Sequence, residues 1–206
     1  VTGRQNWGLG RSNLREAAGV AIDRSNVDRL ELQWSIALPA VNTMRSQPVV
    51  AGDTVFLGSK GTHLLALDRG SGCVRWSFAA EAPIHSALTL DKTSDGVATL
   101  FFADEMAMVY AVDATTGQLR WRERVKWFPT SIVSGPITFH ADRLYVPLSS
   151  FEVAAAGLPT HECCRTHGGI AALDATTGQA VWRFDTTPQA AKTHLNRDGV
   201  QMWGPS

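Results

Sequence analysis

The chain has 206 residues, of which 44% are hydrophobic, and its 19 basic side chains are balanced by 19 acidic ones. The balance excludes the concentrated Lys and Arg that a nucleic-acid partner requires, and no apolar run approaches the roughly 20 residues of a membrane span. The first residues do not resemble a signal peptide, so we expect any targeting segment to lie outside this chain. The composition predicts a soluble globular protein in which Gly and Trp are prominent.

Residues 14–30 contain only enough helical pattern for a turn or a short helix, and the rest of the chain favours strands. Alternating apolar stretches separated by turn residues predict three strand pairs. These pairs occupy residues 47–59, 86–104 and 135–149. The absence of any long helical periodicity predicts an all-β protein.

A thirteen-residue pattern follows each of these strand pairs. It reads LLALDRGSGCVRW at 64–76, VYAVDATTGQLRW at 109–121 and IAALDATTGQAVW at 170–182. In each copy an apolar strand ends in Asp, a turn is closed by Gly, and a second short strand ends in Trp. Gly tolerates the positive φ that such turns demand and Asp hydrogen-bonds the turn backbone, so the pattern predicts a β-hairpin.

The spacing of the Trp residues predicts the architecture. Trp34, Trp76 and Trp121 are separated by 42 and 45 residues. A period of this length with about four short strands per unit is typical of β-propeller blades, so we predict an all-β propeller of four-stranded antiparallel blades with about four blades present. The predicted units are approximately 1–34, 35–76, 77–121 and 122–182, and a further blade begins in 183–206.

The fourth unit is longer than the others, because Trp121 and Trp182 are 61 residues apart. The extra residues fall in a loop predicted to span 150–168, which contains Cys163 and Cys164. Insertions in repeat folds map to loops on one face of the molecule, which is often the binding face. The insertion is therefore the first candidate for a functional site.

The repeat resembles the tryptophan-docking motif of enzymes that use pyrroloquinoline quinone (PQQ). A closer match runs along nearly the whole chain. Over this length the sequence resembles the polyvinyl-alcohol dehydrogenase group of the PQQ-dependent (quinoprotein) alcohol dehydrogenases. It is carried by Trp7-Gly8, GCVRWSF (72–78), SGPITFHADRLYVPLSSFE (134–152), HECCRTHGGIAALDATTG (161–178) and GVQMWGPS (199–206). The bare repeat is weakly specific, whereas the Cys-Cys pair followed by GGIAALDATTG is considerably more so.

The resemblance implies oxidation of a small-molecule or polymeric alcohol by bound PQQ. It further implies a Ca²⁺ ion that polarises the quinone, a carboxylate base, and a cytochrome c-type electron acceptor. The catalytic base is not identified in this chain. The Cys-x-x-Cys-His motif of covalent haem is absent from the sequence, so these residues attach no haem.

Three interpretations of Cys163 and Cys164 remain open. Adjacent Cα atoms are about 3.8 Å apart, below the usual disulfide separation of about 4.4–6.8 Å, so a bridge between them is strained and reducible. The resemblance implies that such a vicinal disulfide lies against the PQQ plane. The alternatives are a loop-stiffening bridge or two free thiols, and a metal cluster formed with His161 and His167. This chain also departs from the family at His167, where the family commonly has Arg.

Ser149 and Glu152 end the apolar strand that precedes the insertion. This strand end resembles the place where larger quinoprotein dehydrogenases put a PQQ-contacting Ser and a Ca²⁺-binding Glu. A carboxylate is a suitable Ca²⁺ ligand, although a single Glu on a loop is more commonly only solvated. We expect Ser149 to bind the cofactor and Glu152 to bind the metal.

Several further residues are weaker candidates. Arg45 precedes the first strand of a blade, and its guanidinium suits the carboxylates of PQQ, although a surface Arg is the simpler interpretation. Trp203 would stack on the quinone or serve as a docking Trp, and Asp104 would be a base, a metal ligand or a structural residue. Cys73 is interpreted as a small buried residue. The spacing of His63, His85, His140 and His194 suggests no site.

Two expectations concern the compartment and the completeness of the ring. A Cys-Cys bridge persists only under oxidising conditions, and the family acts in the bacterial periplasm, so we expect a periplasmic protein. About four blades are roughly half of the ring that the resemblance implies. We therefore expect the remaining half of the propeller, or a second chain, to complete it. The alternative function is a cofactor-free propeller that acts as a scaffold or sensor domain in protein-protein interactions.

Overall fold

Three antiparallel sheets follow one another along the chain, and the four main strands of each lie side by side in sequence order. This architecture comes from a computed structural model that describes residues 21–39, 41–158, 160 and 166–187. The prediction of an all-β chain built from four-stranded antiparallel sheets is confirmed. The remainder of the predicted first unit (1–20) and of the predicted further blade (188–206) lies outside the described residues.

The sheets contain the following strands. The first sheet consists of β1 (Val49–Ala51), β2 (Thr54–Gly58), β3 (His63–Asp68) and β4 (Val74–Ala79). The second consists of β5 (Thr89–Lys92), β6 (Ala98–Ala103), β7 (Met108–Asp113) and β8 (Leu119–Arg124). The third consists of β10 (Thr138–His140), β11 (Arg143–Ser150), β12 (Gly169–Asp174) and β13 (Ala180–Asp185), with the two-residue strand β9 (Ser131–Ile132) paired to the end of β11. A 3-10 helix (Val27–Arg29) and a short helix α1 (Glu152–Ala155) complete the described elements.

The hairpin turns form as the repeat predicts. Asp68 Oδ1 accepts hydrogen bonds from the backbone N–H of Gly70 (3.0 Å) and Ser71 (2.8 Å), and Gly72 closes the turn with a φ of +73°. Asp113 and Asp174 make equivalent contacts in the other two sheets. The side chain of Asp thus replaces solvent at the turn backbone, and Gly removes the steric cost of the left-handed conformation.

Two details of the hairpins differ from the prediction. The second strand does not end at Trp: β4 continues from Trp76 to Ala79, because its pairing with β3 extends to His63. Cys73 is exposed rather than buried, because it immediately precedes β4, the outermost strand of its sheet, whose side chains are exposed or half-buried.

Both faces of the second sheet are buried. Along β6, Leu100 and Phe102 pack towards the first sheet, whereas Phe101 and Ala103 pack towards the third. Successive side chains of a strand point to opposite faces, so a strand with two buried faces is apolar at every position. The second sheet is therefore the middle layer of a stack, as expected for adjacent propeller blades.

The repeated Trp residues connect each sheet to the next turn. Trp76, from the first sheet, lies against Gly117 in the turn of the second, and Trp121 lies against Gly178 in the turn of the third. Trp121 Nε1 also donates a hydrogen bond to the carbonyl of Ala175 (3.0 Å). Trp34 makes the same contact one step earlier, against Gly72. The docking of Trp on the neighbouring unit fixes the order and spacing of the three sheets.

Candidate functional site

A cavity of about 330 Å³ opens where the segments that lead into the three sheets converge. Its described lining residues are Arg45, His85, Ala87, Ser134 and Pro136. Arg45, His85 and Ser134 each lie four residues before the first strand of their own sheet, β1, β5 and β10. The same position of the repeat therefore contributes a polar side chain from each unit. The volume lies within the range of about 300–1,000 Å³ that is usual for small-molecule sites.

His85 is the most buried polar group of this cavity. Its side chain is 10% exposed, and its Nδ1 lies 2.6 Å from Glu105 Oε1. Burial lowers the pKa of His85 below its usual value; Glu105 opposes this shift, and the positive charges of Arg45 and Lys60 reinforce it. The carboxylate thus holds the ring by Nδ1 while the surroundings favour the neutral imidazole.

The other nitrogen of this ring has no partner. Within the described residues, His85 Nε2 and Ser46 Oγ are the two buried side-chain nitrogen or oxygen atoms that lack a hydrogen bond. Ser46 Oγ lies near Gly58, since a β-carbon there would come within 2.8 Å of it. Buried polar atoms are almost always paired, so an unpaired nitrogen on a side chain that lines the cavity is unusual.

The segment that carries His85 is firmly attached to the β6–β7 turn. Ile84 and Asp104 form an isolated antiparallel bridge, and the N–H of Glu105 donates to the carbonyl of Pro83 (2.9 Å). Ser86 Oγ accepts from the N–H of Ala103 (2.8 Å) and donates to its carbonyl (2.9 Å). The imidazole and the carboxylate that orients it therefore stand on one rigid support.

Asp104 has a structural role in this support. It is fully buried, its Oδ1 accepts from the N–H of Met106 (2.9 Å) and Met108 (3.0 Å), and its Oδ2 accepts from the hydroxyl of Tyr110 (2.8 Å). Burial raises the pKa of Tyr110, and the neighbouring Asp104 raises it further. Because both carboxylate oxygens are occupied by groups of its own turn and strand, the structural interpretation of Asp104 replaces those of a base and a metal ligand.

Arg45 lies four residues before the first strand of its sheet and in the cavity wall. It is exposed to solvent. With Lys60 on the β2–β3 turn it adds positive charge around His85, against the single negative charge of Glu105. The cavity therefore favours a ligand with an anionic group.

Ser149 and Glu152 lie at a second location. Neither lines the cavity of Arg45 in the part of the chain that the structure describes. Ser149 is half-buried and pairs with Ile132 of β9. Glu152, expected on a loop, instead starts the short helix α1 and is 4% exposed. The carboxylate is thus removed from bulk water, a position that requires compensating contacts.

The hydroxyl of Thr166 contacts this carboxylate, and the hydroxyls of Ser150 and Thr130 contact Thr166 in turn. Glu152 Oε2 accepts from the N–H of Thr166 (2.9 Å) and from its hydroxyl, and the Glu152 N–H donates to Ser150 Oγ (3.1 Å). Thr130 Oγ1 lies 3.0 Å from Ser150 Oγ. Carboxylate and hydroxyl oxygens are hard donors of the kind Ca²⁺ prefers. These oxygens would supply a part of a calcium site. The described residues contain no group of three or more His, Cys, Asp or Glu placed to hold a metal.

Cys163, Cys164 and Trp203 lie outside the described residues, as do His161 and Arg165. Next to them, His167 is buried. Its Nδ1 lies 3.2 Å from the carbonyl oxygen of Gly168 and 3.7 Å from Asp185 Oδ1. The ring meets Phe128 edge-on. These contacts give the His167 ring its own structural partners.

Sequence reasoning missed His85 and Ser134. The intervals between His residues carried no information, because the partners of His85 are a carboxylate from a neighbouring turn and an Arg from a neighbouring unit. The available signal was the repeat itself: the position four residues before the first strand of each sheet is polar in all three units.

No described helix is long and apolar enough to cross a bilayer.

Comparisons with known proteins agree with this architecture. The PQQ_2 family model, described as outer membrane protein assembly factor BamB, matches residues 2–160 and 93–204. The polyvinylalcohol dehydrogenase of Sphingopyxis sp. (strain 113P3) is 35% identical over 204 residues, which are 97% of this chain and 31% of that protein. The dehydrogenase subunit of an alcohol dehydrogenase (quinone) from Gluconacetobacter polyoxogenes is 25% identical, over 90% of this chain and 26% of that subunit.

Among solved structures, a europium-containing methanol dehydrogenase superimposes with a TM-score of 0.73 at 20% identity, covering 94% of this chain and 34% of that one. This likeness confirms the fold as part of a β-propeller. The chain spans between about a quarter and a third of the length of these relatives.

Proposed function

The chain belongs to the PQQ_2 repeat family, whose model matches it over most of its length, and from this membership we propose that it is part of a PQQ-dependent alcohol dehydrogenase. The observation that carries the proposal is the 35% identity with a polyvinylalcohol dehydrogenase over 97% of the chain. The cavity at the entrances of the three sheets supports it, because the cavity combines a guanidinium, a buried imidazole and a hydroxyl. We further propose that the substrate is a secondary or polymeric alcohol.

The residues of this chain would bind and orient the cofactor. PQQ supplies a two-electron acceptor for the alcohol, and Ca²⁺ supplies a Lewis acid at its quinone. Arg45 would pair with a carboxylate of PQQ in the planar geometry that suits a guanidinium. Ser149 would donate a hydrogen bond to the cofactor, and Cys163, Cys164 and Trp203 would cover its ring plane.

Glu152 would be the metal ligand that this chain contributes. Its burial and its hydrogen bonds from Thr166 hold the carboxylate in one orientation, and a fixed ligand loses little entropy when a cation binds. The hydroxyls of Ser150 and Thr130 lie within hydrogen-bond distance of the Thr166 hydroxyl that contacts it. The catalytic base and the other oxygen ligands would come from outside this chain.

The partners follow from the same proposal. The electrons would leave one at a time to a cytochrome c-type acceptor, and the remaining half of the propeller, or a second chain, would complete the cofactor site. A bridged Cys163–Cys164 pair requires an oxidising compartment, which supports a periplasmic location.

The direct test uses the full-length protein with added PQQ and Ca²⁺. We expect quinone absorbance changes on binding, and dye-linked oxidation of polyvinyl alcohol and of small secondary alcohols. Glu152→Gln should lose the part of the PQQ affinity that depends on Ca²⁺, while Glu123→Gln, a change on the outer strand β8, should not. If the full-length protein binds no PQQ with Ca²⁺ present, the enzyme proposal is wrong.

A second candidate function is a cofactor-free propeller that serves as a scaffold or sensor. The description of the matching family model as an outer membrane assembly factor favours it. A scaffold needs neither the adjacent cysteines nor a buried Glu152. Retention of a protein partner by a variant that lacks Arg45 and Glu152, together with no PQQ binding by the unaltered protein, would support the scaffold.

A further inference from the structure

We infer that a groove between the outermost strands of the second and third sheets, β8 and β13, is an accessory binding site for a segment of a neutral polymer that carries hydroxyl groups. We take the occupant to be the polymeric alcohol, and this identification rests on the proposed function. The groove itself is argued from the repeat and from the contacts of its walls. It is separate from the cavity at the sheet entrances, since no described residue lines both.

The groove combines apolar surface with two opposite charges. Its volume is about 280 Å³. Ala171 and Leu173 of β12 and Val181 of β13 give it apolar surface, and Glu123 and Lys126 line it from the side of β8. Because β8 and β13 are the last strands of their sheets, the groove lies at the outer rim of the stack, where a long chain has access to it.

The repeat shows that this groove lacks the side chains that fill its counterpart. Between the first and second sheets, the ring of Phe78 meets Tyr110 edge-on, with the ring centres 5.7 Å apart. In the next unit of the repeat, Glu123 stands at the position of Phe78, and Ala171 stands at the position of Tyr110. A carboxylate and a methyl group thus replace two rings. Close packing is the rule between sheets, so the unfilled groove is a specific feature of this pair of units.

The two arginines of the groove add no net charge. Arg124 pairs with Glu81, with Nη2 and Oε2 3.0 Å apart. Arg183 pairs with Asp185, with Nη2 and Oδ1 3.1 Å apart. Each guanidinium is therefore neutralised by a carboxylate of its own surroundings, and the groove does not select an anion.

The two remaining charges favour a hydroxyl group. The side chains of Glu123 and Lys126 are half-buried, and neither makes a hydrogen bond or an ion pair with the residues that the structure describes. The carboxylate accepts hydrogen bonds and the ammonium donates them, whereas a hydroxyl does both. The methylene groups that alternate with hydroxyl-bearing carbons in polyvinyl alcohol would cover the apolar surface. A neutral polyol therefore matches the charges and the apolar surface together.

One side of the groove leads to the location of Glu152. Trp127 lines the groove, and its ring lies directly against Gly169, the first residue of β12. The chain then continues to Thr130, whose hydroxyl contacts Thr166 and is thereby linked to the Glu152 carboxylate. A polymer that extends beyond Trp127 would run towards the proposed metal ligand.

An accessory site of this kind acts through effective concentration. A polymer that is held in the groove presents its other units to the oxidation site on the same molecule, so the second contact becomes intramolecular. This should lower KM for the polymer, whereas a small alcohol cannot occupy both places at once.

Binding is measured as depletion of the full-length protein from solution by crosslinked polyvinyl alcohol beads, which requires neither PQQ nor turnover. We expect soluble polyvinyl alcohol to compete for the protein, and isopropanol at the same concentration of hydroxyl groups to compete much less. Because the ligand is neutral, retention should change by less than about twofold between low and high salt.

Groove-filling variants test the location. Glu123→Phe restores the residue that the other two sheets have at this position, and should weaken retention about tenfold by removing the space and the acceptor. Val181→Trp fills the groove from β13 and should do the same even if Glu123→Phe is poorly folded. Glu31→Phe is the matched control, since Glu31 is exposed and does not line the groove.

Glu123→Gln tests the class of ligand. The amide keeps an acceptor for a hydroxyl group, so retention on the beads should weaken by no more than about threefold. A cationic ligand would instead lose its counter-charge. With PQQ and Ca²⁺ added, Glu123→Phe should raise KM for polyvinyl alcohol about tenfold relative to KM for isopropanol.

The outcomes separate this inference from the proposed function. Retention that is unchanged in both Glu123→Phe and Val181→Trp overturns the inference, and oxidation of isopropanol then shows that the function stands. Groove-dependent retention without oxidation of any alcohol supports the site and overturns the function. Loss of retention in Glu123→Gln, together with strong salt dependence, overturns the neutral polymer as the occupant. Neither retention nor oxidation overturns both.

Discussion

The indole of Trp76 lies so close to Gly117 that a β-carbon at this glycine would come within 2.7 Å of two ring atoms. Gly117 also has a φ of +74°. One residue therefore meets two requirements, the turn conformation within its own sheet and contact with the preceding sheet. Gly72 and Gly178 combine the same two roles, with φ values of +73° and +78°.

These two roles can be measured separately. Gly117→Ala should lower the free energy of unfolding by about 2–4 kcal/mol, because about 1–2 kcal/mol of left-handed strain is added to overpacking against Trp76. Gly96→Ala is the matched control, since Gly96 has a φ of +82° and open space around it, and should lose only the strain. Urea unfolding of the full-length protein measures both. Equal losses would show that the docking contact contributes nothing.

The Asp104–Tyr110 hydrogen bond should be strongly coupled. Asp104→Asn and Tyr110→Phe each leave a buried polar atom unpaired, and each should cost about 1–3 kcal/mol. The double variant should cost less than the sum by on the order of 1 kcal/mol. Asp104→Asn combined with Tyr145→Phe on the third sheet should instead be additive. Additivity in the first pair would contradict a shared network.

Low pH should destabilise the turn that contains Asp68 more than the equivalent turn that contains Asp113. Hydrogen bonds from Arg75 and from the backbone and hydroxyl of Ser71 hold the pKa of Asp68 well below its usual range. The stabilisation is present above the ordinary carboxyl pKa of 3.8 and is lost as the pH falls below it. Asp68→Asn should therefore lower Tm at pH 7, and the difference from the unaltered protein should shrink towards pH 2.

Asp113→Asn is the comparison for this experiment. The residue equivalent to Arg75 is Arg120, which pairs with Asp95 in place of the turn Asp. The effect on Tm and its pH dependence should both be smaller than for Asp68→Asn. The same pH dependence in the two variants would mean that the Arg75 contact is not the cause.

Mass spectrometry without reductant should find Cys163 and Cys164 joined, with a mass lower by two hydrogens than that of the two thiols. Cys73 provides an internal control, because it is exposed and unbridged and should react with an alkylating reagent. Alkylation at all three positions would remove the vicinal disulfide from the proposed site.

Features that depend on neighbouring residues could be predicted from the sequence. The Asp-to-Gly turns and the strand pairs were predicted because their hydrogen bonds lie within a few residues, as from Asp68 to Ser71. Glu152 was predicted as a metal ligand on a loop, and its burial could not be predicted because its hydrogen-bond partner Thr166 lies across the insertion. Cys73 was expected to be buried because it adjoins apolar residues, although the outer strand faces solvent.

The cavity could not be predicted by the same reasoning. Arg45, His85 and Ser134 are about one blade apart in sequence. They line the same cavity only because the three sheets are stacked with the segments before their first strands at one end. The pairing of His85 with Glu105 depends on the β6–β7 turn folding back onto the segment before β5. An alignment of the three repeats on the first strand of each sheet places these three residues at the same position of the repeat.

The contact between Trp and the next turn gives the stack a direction. Each unit carries one indole that points forward and one glycine turn that receives the indole behind it, so no unit can bind a reversed copy of its neighbour through this contact. Whole units can accordingly be duplicated or removed without changing this contact, since each contact joins a Trp of one unit to a glycine turn of the next. The side chain of Trp182 is 45% exposed and corresponds to the indoles of Trp76 and Trp121. A unit that packs against it in the same way must present a glycine turn of the same shape.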